Sequence, residues 1–402
     1  MTFTSYSPSY LFLLQKSDGT CWHLPTLQSL QAMLTTTSAQ VQMTATFANP
    51  HNYITDLIGR DLRSGGAHPM NVVQAWTTNR QGGSRPIFTG YIDGVHRISD
   101  PAQGEMVQLS CSSSLKLLEV TKQQPGDVLS LAIAYTNNVA ASSVLQYAAR
   151  AVGFPLGADS QGAPWLAIDP SADSGSGYQT VQASLMASPD LQTWMAPIQA
   201  LMANAGLEFF AAEDGRWIWR PYGYLGTGQT PRVIRQDDII HVELVESDDN
   251  IATRVQVRWA YEGSYTDAGT WQAPASMEAH LGVRLVVFDA QWITNKAAAA
   301  WLAQSLGQQY AAGVLAGQVT IPADPLITVG SIVDVPTLRR NGSALYYVVS
   351  VMYQLDWAGS WVMTCGLGYG RARNKIFPYI DHYLVLQREV GRSRIKETER
   401  AG

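Results

Sequence analysis

The sequence predicts an α+β protein, mainly β, in which two antiparallel β units flank an α/β insertion and a short C-terminal tail follows. Three observations carry this. Apolar and polar residues alternate with period two near both ends of the chain, helical spacing of apolar residues is concentrated in its middle, and a stretch rich in Gly, Ser, Asp and Pro separates the two helical patterns. At 402 residues the chain exceeds one compact core, because single domains usually hold about 100–200 residues.

In the first unit Val41, Met43, Ala45 and Phe47 alternate with Gln42, Thr44 and Thr46, and Val107, Leu109 and Cys111 alternate with Gln108, Ser110 and Ser112. Both read as half-buried strands. Ile87 to Val95 reads as another, and Asp100-Pro101-Ala102-Gln103-Gly104 supplies the turn into Met106. After Asn138, the residues Val144, Leu145, Ala148 and Val152 have helical spacing, and Gly153 caps that helix. Residues 157–180 read as a loop. Leu191, Trp194, Met195, Ile198, Leu201, Met202 and Ala205 give a second helical pattern that Gly206 ends and Pro197 kinks. Asp214-Gly215 lies between the apolar runs Leu207–Ala211 and 216–220, a strong hairpin signal.

Ile251 to Tyr261 is the clearest strand, with Val255, Val257, Trp259 and Tyr261 on one face and Arg254, Gln256 and Arg258 on the other. Residues 262–292 read as loop with an apolar run at Val283 to Phe288. Asn295 opens an Ala-rich helix with Trp301, Leu302, Leu306 and Tyr310 on one stripe. Strands follow at Gln318–Ile321, Ile332–Val335, Leu345–Trp357 and Trp361–Leu367. The resulting organisation is 1–118, a first β unit; 119–235, an α/β insertion; 236–262 with 315–372, a second β unit; 263–314, a connecting loop and helix; and 373–402, the tail. Ile87–Val95 with Met106–Cys111 parallels Tyr346–Tyr353 with Trp361–Cys365, a weak repeat visible in pattern more than in identity.

Charged residues make up 15% of the chain against the usual ~25%, while 12 Trp and 18 Tyr are present. Aromatic enrichment with few charges fits either surfaces buried against partners or an aromatic-rich β core. The net charge of −5 disfavours an electrostatic nucleic-acid binder. Residues 371–402 hold eight Lys/Arg against four Asp/Glu, leaving 19 against 28 in residues 1–370, so the body is acidic and the tail basic. Three scattered cysteines are not a disulfide framework and fit folding in a reducing cytoplasm. The run Tyr10–Leu14 lacks the basic segment of a secretory signal, and no apolar stretch approaches the ~20 residues of a membrane span.

The seven histidines lie outside zinc-motif spacing, and no Gly-x-Ser-x-Gly elbow occurs. Asp237-Asp238, Glu243, Glu246 and Asp248-Asp249 form the densest acidic cluster. A glycosidase needs only two facing carboxylates, but solvated strand ends explain these equally well. A β-rich carbohydrate-binding or glycoside-hydrolase protein is therefore the alternative reading.

The passage Leu191–Gly206, Leu207-Glu208-Phe209-Phe210, Glu213-Asp214-Gly215 and Trp217-Ile218-Trp219 resembles the baseplate hub family of contractile phage tails, which includes late-control D proteins and is similar to the N-terminal part of VgrG spikes. Ala297–Tyr310, then 317–322, Asp324-Pro325-Leu326 and 329–335 are similar to the helix, strand, Asp-Pro and Gly-bounded strand that begin that family's second barrel, and the closing hairpin 346–357 and 361–367 completes the order. Pro197 inside the helix departs from the pattern.

The resemblance implies a structural protein rather than an enzyme, without catalytic residues, metal or cofactor. Each subunit of a homotrimer would supply two tube-like antiparallel β-barrel domains, giving a pseudo-sixfold ring between a sixfold tail tube or tube-initiator protein and a threefold central spike. The implied setting is the virion, in the tail baseplate, assembled in the host bacterial cytoplasm, with tape-measure and baseplate wedge proteins nearby and only transient passage of DNA. An acidic body would make the conduit negative. The basic tail, with Phe377, Tyr379, Ile380, Tyr383 and Leu384, would pack on the spike or on a neighbouring subunit. A needle or cell-wall enzyme would be a separate chain, which sets this reading apart from a spike-like effector carrier of a secretion system.

Overall fold

The computed structural model describes residues 9–15, 21–36, 41–56, 72–78, 83–102, 104–123, 138–169, 180–182, 193–196, 198–199, 207–221, 224–225, 230–246, 251–261, 264–290, 296–312, 315–335, 345–356, 360–368 and 371–372. The first unit contributes seven strands: β1 (Tyr10–Gln15), β2 (Cys21–His23), β3 (Leu27–Thr35), β4 (Gln42–Ala48), β5 (Val72–Thr78), β6 (Ser84–Asp100) and β7 (Gly104–Ser113). The short helix α1 (Lys116–Val120) leads into the insertion, formed by β8 (Asn138–Ala140), α2 (Ala141–Ala151), β9 (Leu166–Ile168), β10 (Thr180–Gln182), β11 (Leu207–Ala211) and β12 (Trp217–Pro221). After β13 (Tyr224–Leu225) and β14 (Arg232–Val233), β15 (His241–Glu246) enters the main sheet. A separate three-stranded sheet follows, β16 (Arg254–Tyr261), β17 (Ser264–Gln272) and β18 (Leu285–Ala290), with helices α3 (Ala275–Leu281) and α4 (Lys296–Ala312). The chain then returns through β19 (Leu315–Pro322), β20 (Ile332–Asp334), β21 (Leu345–Leu355), β22 (Trp361–Gly368) and β23 (Arg371–Ala372).

Period-two alternation forms strands as expected, because one parity enters the core and the other does not. In β4, Met43, Ala45 and Phe47 are buried and Gln42, Thr44 and Thr46 are not; β22 repeats this with Trp361, Met363, Cys365 and Leu367. Among the described residues, however, the two β units share one sheet and neither closes on itself as a barrel. Thirteen strands form one sheet in the order β15-β19-β22-β21-β3-β4-β7-β6-β5-β1-β2, with β14 and β20 attached beside β21, and no closure of the ladder occurs among the described residues. The halves meet at an antiparallel seam between β21 and β3, running from Ser350 opposite Thr35 to Leu355 opposite Leu30.

The two halves repeat each other in register. In both hairpins the first strand bulges, between Ile92 and Gly94 in β6 and between Val348 and Ser350 in β21, and adding 256 to the β6 and β7 numbers reproduces the pairing of β21 with β22. Ile92 opposite Cys111 becomes Val348 opposite Leu367. Both turns have equal length. Asp100 Oδ1 accepts from Ala102 N at 2.7 Å in one, and Asp356 Oδ1 accepts from Ser360 N at 3.0 Å in the other. The equivalence extends outward: β4 on β7 matches β19 on β22 (Ala45–Leu109 against Val319–Cys365), and β3 on β4 matches β15 on β19 (Gln31–Thr44 against Glu243–Gln318). On the other flank β5 on β6 matches β20 on β21. Cys111 and Cys365, which end the two similar hairpin patterns in sequence, differ by one step of the pleat, since Cys111 corresponds to Leu367 and Cys365 to Leu109.

Other elements differ from the sequence reading for local reasons. Asn138–Ala140 pairs as a strand with β10, so the helix begins at Ala141. The stretch 157–180 contains β9, which runs parallel to β12 with Leu166 opposite Trp217. The stretch 236–262 is split: His241–Glu246 joins the main sheet, whereas Arg254–Tyr261 pairs with β17 and β18. Helix α4 packs on that small sheet through small residues, because a Cβ on Gly269 would strike the Ala299 backbone and one on Gly307 would enter the Trp271 ring. Of the expected helix 191–205, residues 193–196 and 198–199 are described; Trp194, Met195 and Ile198 are buried in the insertion core.

Candidate interaction surface

Among the described residues, one face of the main sheet is covered and the other is open. The hairpin β11–β12 explains the cover, because its alternation serves two cores at once. Phe209, Trp217 and Trp219 point into the insertion core, while Phe210 and Ile218 pack on the apolar face of the main sheet. The Asp214-Gly215 turn read from the sequence makes this possible: Gly215 takes φ +86°, and its N–H donates to Ala212 O at 2.9 Å.

The hairpin is fastened by buried charge. Arg220 Nε donates to Glu208 Oε1 at 2.5 Å, Arg220 also donates to the Tyr347 hydroxyl of β21, and that hydroxyl donates to Glu208. Burial, reinforced by the Glu208 charge, pushes the Tyr347 hydroxyl far above its ordinary value, so it stays a donor. Burial opposes the charge on Arg220, and its partners Tyr347 and Glu208 more than offset this. At the turn, Glu213 Oε1 accepts from Val329 N at 2.9 Å, and burial raises the Glu213 carboxyl to about 7. Sequence reasoning missed this clamp. Its signal was present, since Glu208 and Arg220 sit at core parity in apolar strands, where an unpaired charge is costly.

The open face is free of charge over six neighbouring strands. Gln318, Thr364, Gln354, Gln31, Thr44 and Gln108 represent β19, β22, β21, β3, β4 and β7 on it. The one charged residue in these six strands, Glu105 at the start of β7, has the parity of buried Val107. Off these strands, Asp356 of the β21–β22 turn borders the same face beside Gln354 and Gln31, and further charge lies at the margins. Glu243 of β15 accepts from Gln318 Nε2 at 2.9 Å at one side, and Asp93 of β6 pairs with Lys116 and Ser112 at the other. The acidity of the body, expected to line a conduit, is therefore not carried by this face.

The margins also hold strand segments without a described partner strand, although past β6 the sheet continues through β5, β1 and β2. No described strand pairs with the far side of β15, and β5 pairs with β6 only over Ser84–Tyr91, leaving the outer side of Gly94–Ser99 without a described partner strand. Between these edges lie eight consecutive antiparallel strands.

Among the described residues no group of three or more His, Cys, Asp or Glu could hold a metal ion, and no helix is long and apolar enough to cross a membrane. Asp237 of the acidic cluster is exposed in the turn before β15, and Asp248-Asp249 lie outside the described residues. Phe377, Tyr379, Ile380, Tyr383 and Leu384, the expected contact residues of the tail, also lie outside them.

No protein-family model matches this sequence, and no curated protein matches it. Its fold does match solved structures. A tail protein from Neisseria meningitidis MC58 superposes with a TM-score of 0.60 at 12% identity, over 90% of this chain and 96% of that one. The 43 kDa tail protein of prophage MuSo2 from Shewanella oneidensis gives 0.56 at 12% identity over 89% and 96%, and the prophage tail protein gp18 from Listeria monocytogenes EGD-e gives 0.54 at 11% identity over 92% and 96%.

Proposed function

We propose that this chain, which has the fold of phage and prophage tail proteins, is the structural hub of a tail baseplate. Three copies close into a ring of six similar β units that adapts a sixfold tail tube to a threefold spike and leaves a conduit for DNA. The observation that carries this reading is the repeat: β15-β19-β22-β21 and β3-β4-β7-β6 have the same strand order and pairing, placed side by side. Each unit then turns about 60° on the next, and three chains complete the circle.

The covered face carries the insertion, so only the open face can line the lumen. Its amides, hydroxyls and methionines offer no fixed positive charge to hold a phosphate backbone, which makes the conduit non-retentive. The role is mechanical, and the Glu208–Arg220–Tyr347 clamp acts as a structural fastener. The tail 373–402, basic and aromatic, is the segment we assign to the spike or a neighbouring subunit, and the tube or tube-initiator, tape-measure and wedge proteins are the remaining partners in the virion.

The mass in solution tests this. Sedimentation equilibrium at micromolar concentration is expected to give three times the chain mass. A monomer that binds or cleaves glycans would replace the reading with the carbohydrate-active one.

A further inference from the structure

The two units differ at one place. In the first, β1 pairs with β5 and with β2, antiparallel to both, so β2 runs parallel to β5 one strand away. In the second, β14 lies parallel and directly on β20, the counterpart of β5, with no strand between them. The bond after each short strand shows the same difference: Leu24 N donates to Phe12 O and Ile234 N to Asp334 O, both at 2.9 Å. The first unit therefore has a strand, Tyr10–Gln15, that the second lacks among the described residues.

That strand seats Phe12 edge-on against Phe47, with ring centroids 4.9 Å apart. The counterparts of Phe47 and Leu24 are Ile321 and Ile234, and both line an open cleft of about 630 Å³. A proline keeps the cleft open. In the first unit Ala48 N donates to Thr26 O at 3.0 Å and Thr26 Oγ1 to Ala48 O at 2.8 Å, whereas Pro322, the counterpart of Ala48, has no N–H to give. Val233, also in the lining, is 62% exposed, and the charges of Arg232 and Arg235 there are balanced by Asp238 and Asp324.

We infer that residues 383–387 of the tail occupy this cleft on their own chain, as β1 covers the corresponding place in the first unit. The segment Tyr383-Leu384-Val385-Leu386-Gln387 is uncharged and matches Tyr10-Leu11-Phe12-Leu13-Leu14 at the Tyr and at the second and fourth positions, with Val385 where β1 has Phe12. Reach is sufficient. Ala372 of β23 stands opposite Leu225 of β13, seven residues before Arg232, so Ala372 lies within about 30 Å of the cleft. The eleven residues on to Tyr383 span up to ~36–40 Å. Because β14 and β20 already pair, the segment lies across the cleft rather than between them, with Val385 over Ile234 and Ile321. The basic stretch beyond it, with Arg388, Arg392, Arg394 and Lys396, stays available for the spike or a neighbouring subunit.

Photo-cross-linking of the full chain tests this. Val385→p-benzoylphenylalanine puts the probe where the corresponding strand carries an aromatic ring, and mass spectrometry maps the linked peptides. The expected result is a cross-link within one chain to residues 230–235 or 321–327. Leu326→Asp, which places a charge in the cleft, is expected to cut the yield about tenfold, and Val283→Asp, an exposed position beside the separate small sheet, to leave it unchanged. Links to the same residues between copies would overturn docking on the chain's own unit. Links elsewhere, or a yield that Leu326→Asp leaves unchanged, would overturn the cleft as the site. The mass in solution enters none of these outcomes, so the ring reading stands or falls apart from them.

Discussion

Gln354 of β21 stands directly opposite Gln31 of β3, in the seam that makes one sheet of two repeated halves. Gln31 is exposed there, and its Nε2 reaches Met352 Sδ at 3.5 Å. Directly opposed side chains on a sheet interact by roughly 0.2–1 kcal/mol. Gln31→Lys with Gln354→Lys therefore lowers stability through like charges across the seam, while Gln31→Glu with Gln354→Lys restores it. A double-mutant cycle in urea melts reads the coupling, and equal stability of the two pairs would contradict the seam.

Arg220→Ala leaves Glu208 buried beside Tyr347 without its cation. Breaking a buried pair on one side costs about 3–5 kcal/mol. Replacing both members, Glu208→Leu with Arg220→Met, is expected to recover most of that loss. Guanidinium denaturation of the three proteins checks it; additive losses in the double variant would show that the clamp is not a coupled pair.

Glu213 gives a pH signature. Its carboxyl titrates near 7 in the fold, above the ordinary 4.5, so the folded state holds a proton that the unfolded state releases. Stability is highest below about 4.5, falls as pH rises towards 7, and levels off above it; the full difference is on the order of 3 kcal/mol. Glu213→Gln keeps an acceptor for Val329 N–H and flattens that slope. Unfolding free energies between pH 5 and 8 decide this, and an unchanged slope in the variant would assign the dependence elsewhere.

Gly307→Val pushes a side chain into the Trp271 ring between α4 and β17. Overpacking of a closed site costs about 1–3 kcal/mol. A lowered Tm with altered Trp fluorescence is expected, and a neutral outcome would mean that the helix is not seated as described.

Much of this fold was legible because period two needs no partner to be seen. The strands at 41–47, 107–112 and 361–367 and the Asp214-Gly215 hairpin all follow from short-range signals. Partner choice is not local, which is why the sequence sets Arg254–Tyr261 beside the second β unit while the fold pairs it in a separate sheet: its alternation says strand and nothing about which neighbour. The sequence pattern alone aligns the repeat two residues away from its register in the sheet. Between 90–100 and 346–356 only Tyr91/Tyr347, Val95/Val351 and Asp100/Asp356 are identical, so the likeness lives in bulge, turn length and register, which spacing alone does not display. The charge-free face was hidden for a related reason, since net charge says how much and the fold says where.

The central claim is geometric, and a three-dimensional reconstruction of the purified protein by electron cryomicroscopy tests it most directly. The account predicts a ring of three copies with six similar β units around one axis and an inner wall of three times eight strands, with the faces of Gln31 and Gln354 towards the hole. A ring with those glutamines on its outer surface, or a lone chain whose open face is covered by its own residues, would contradict it.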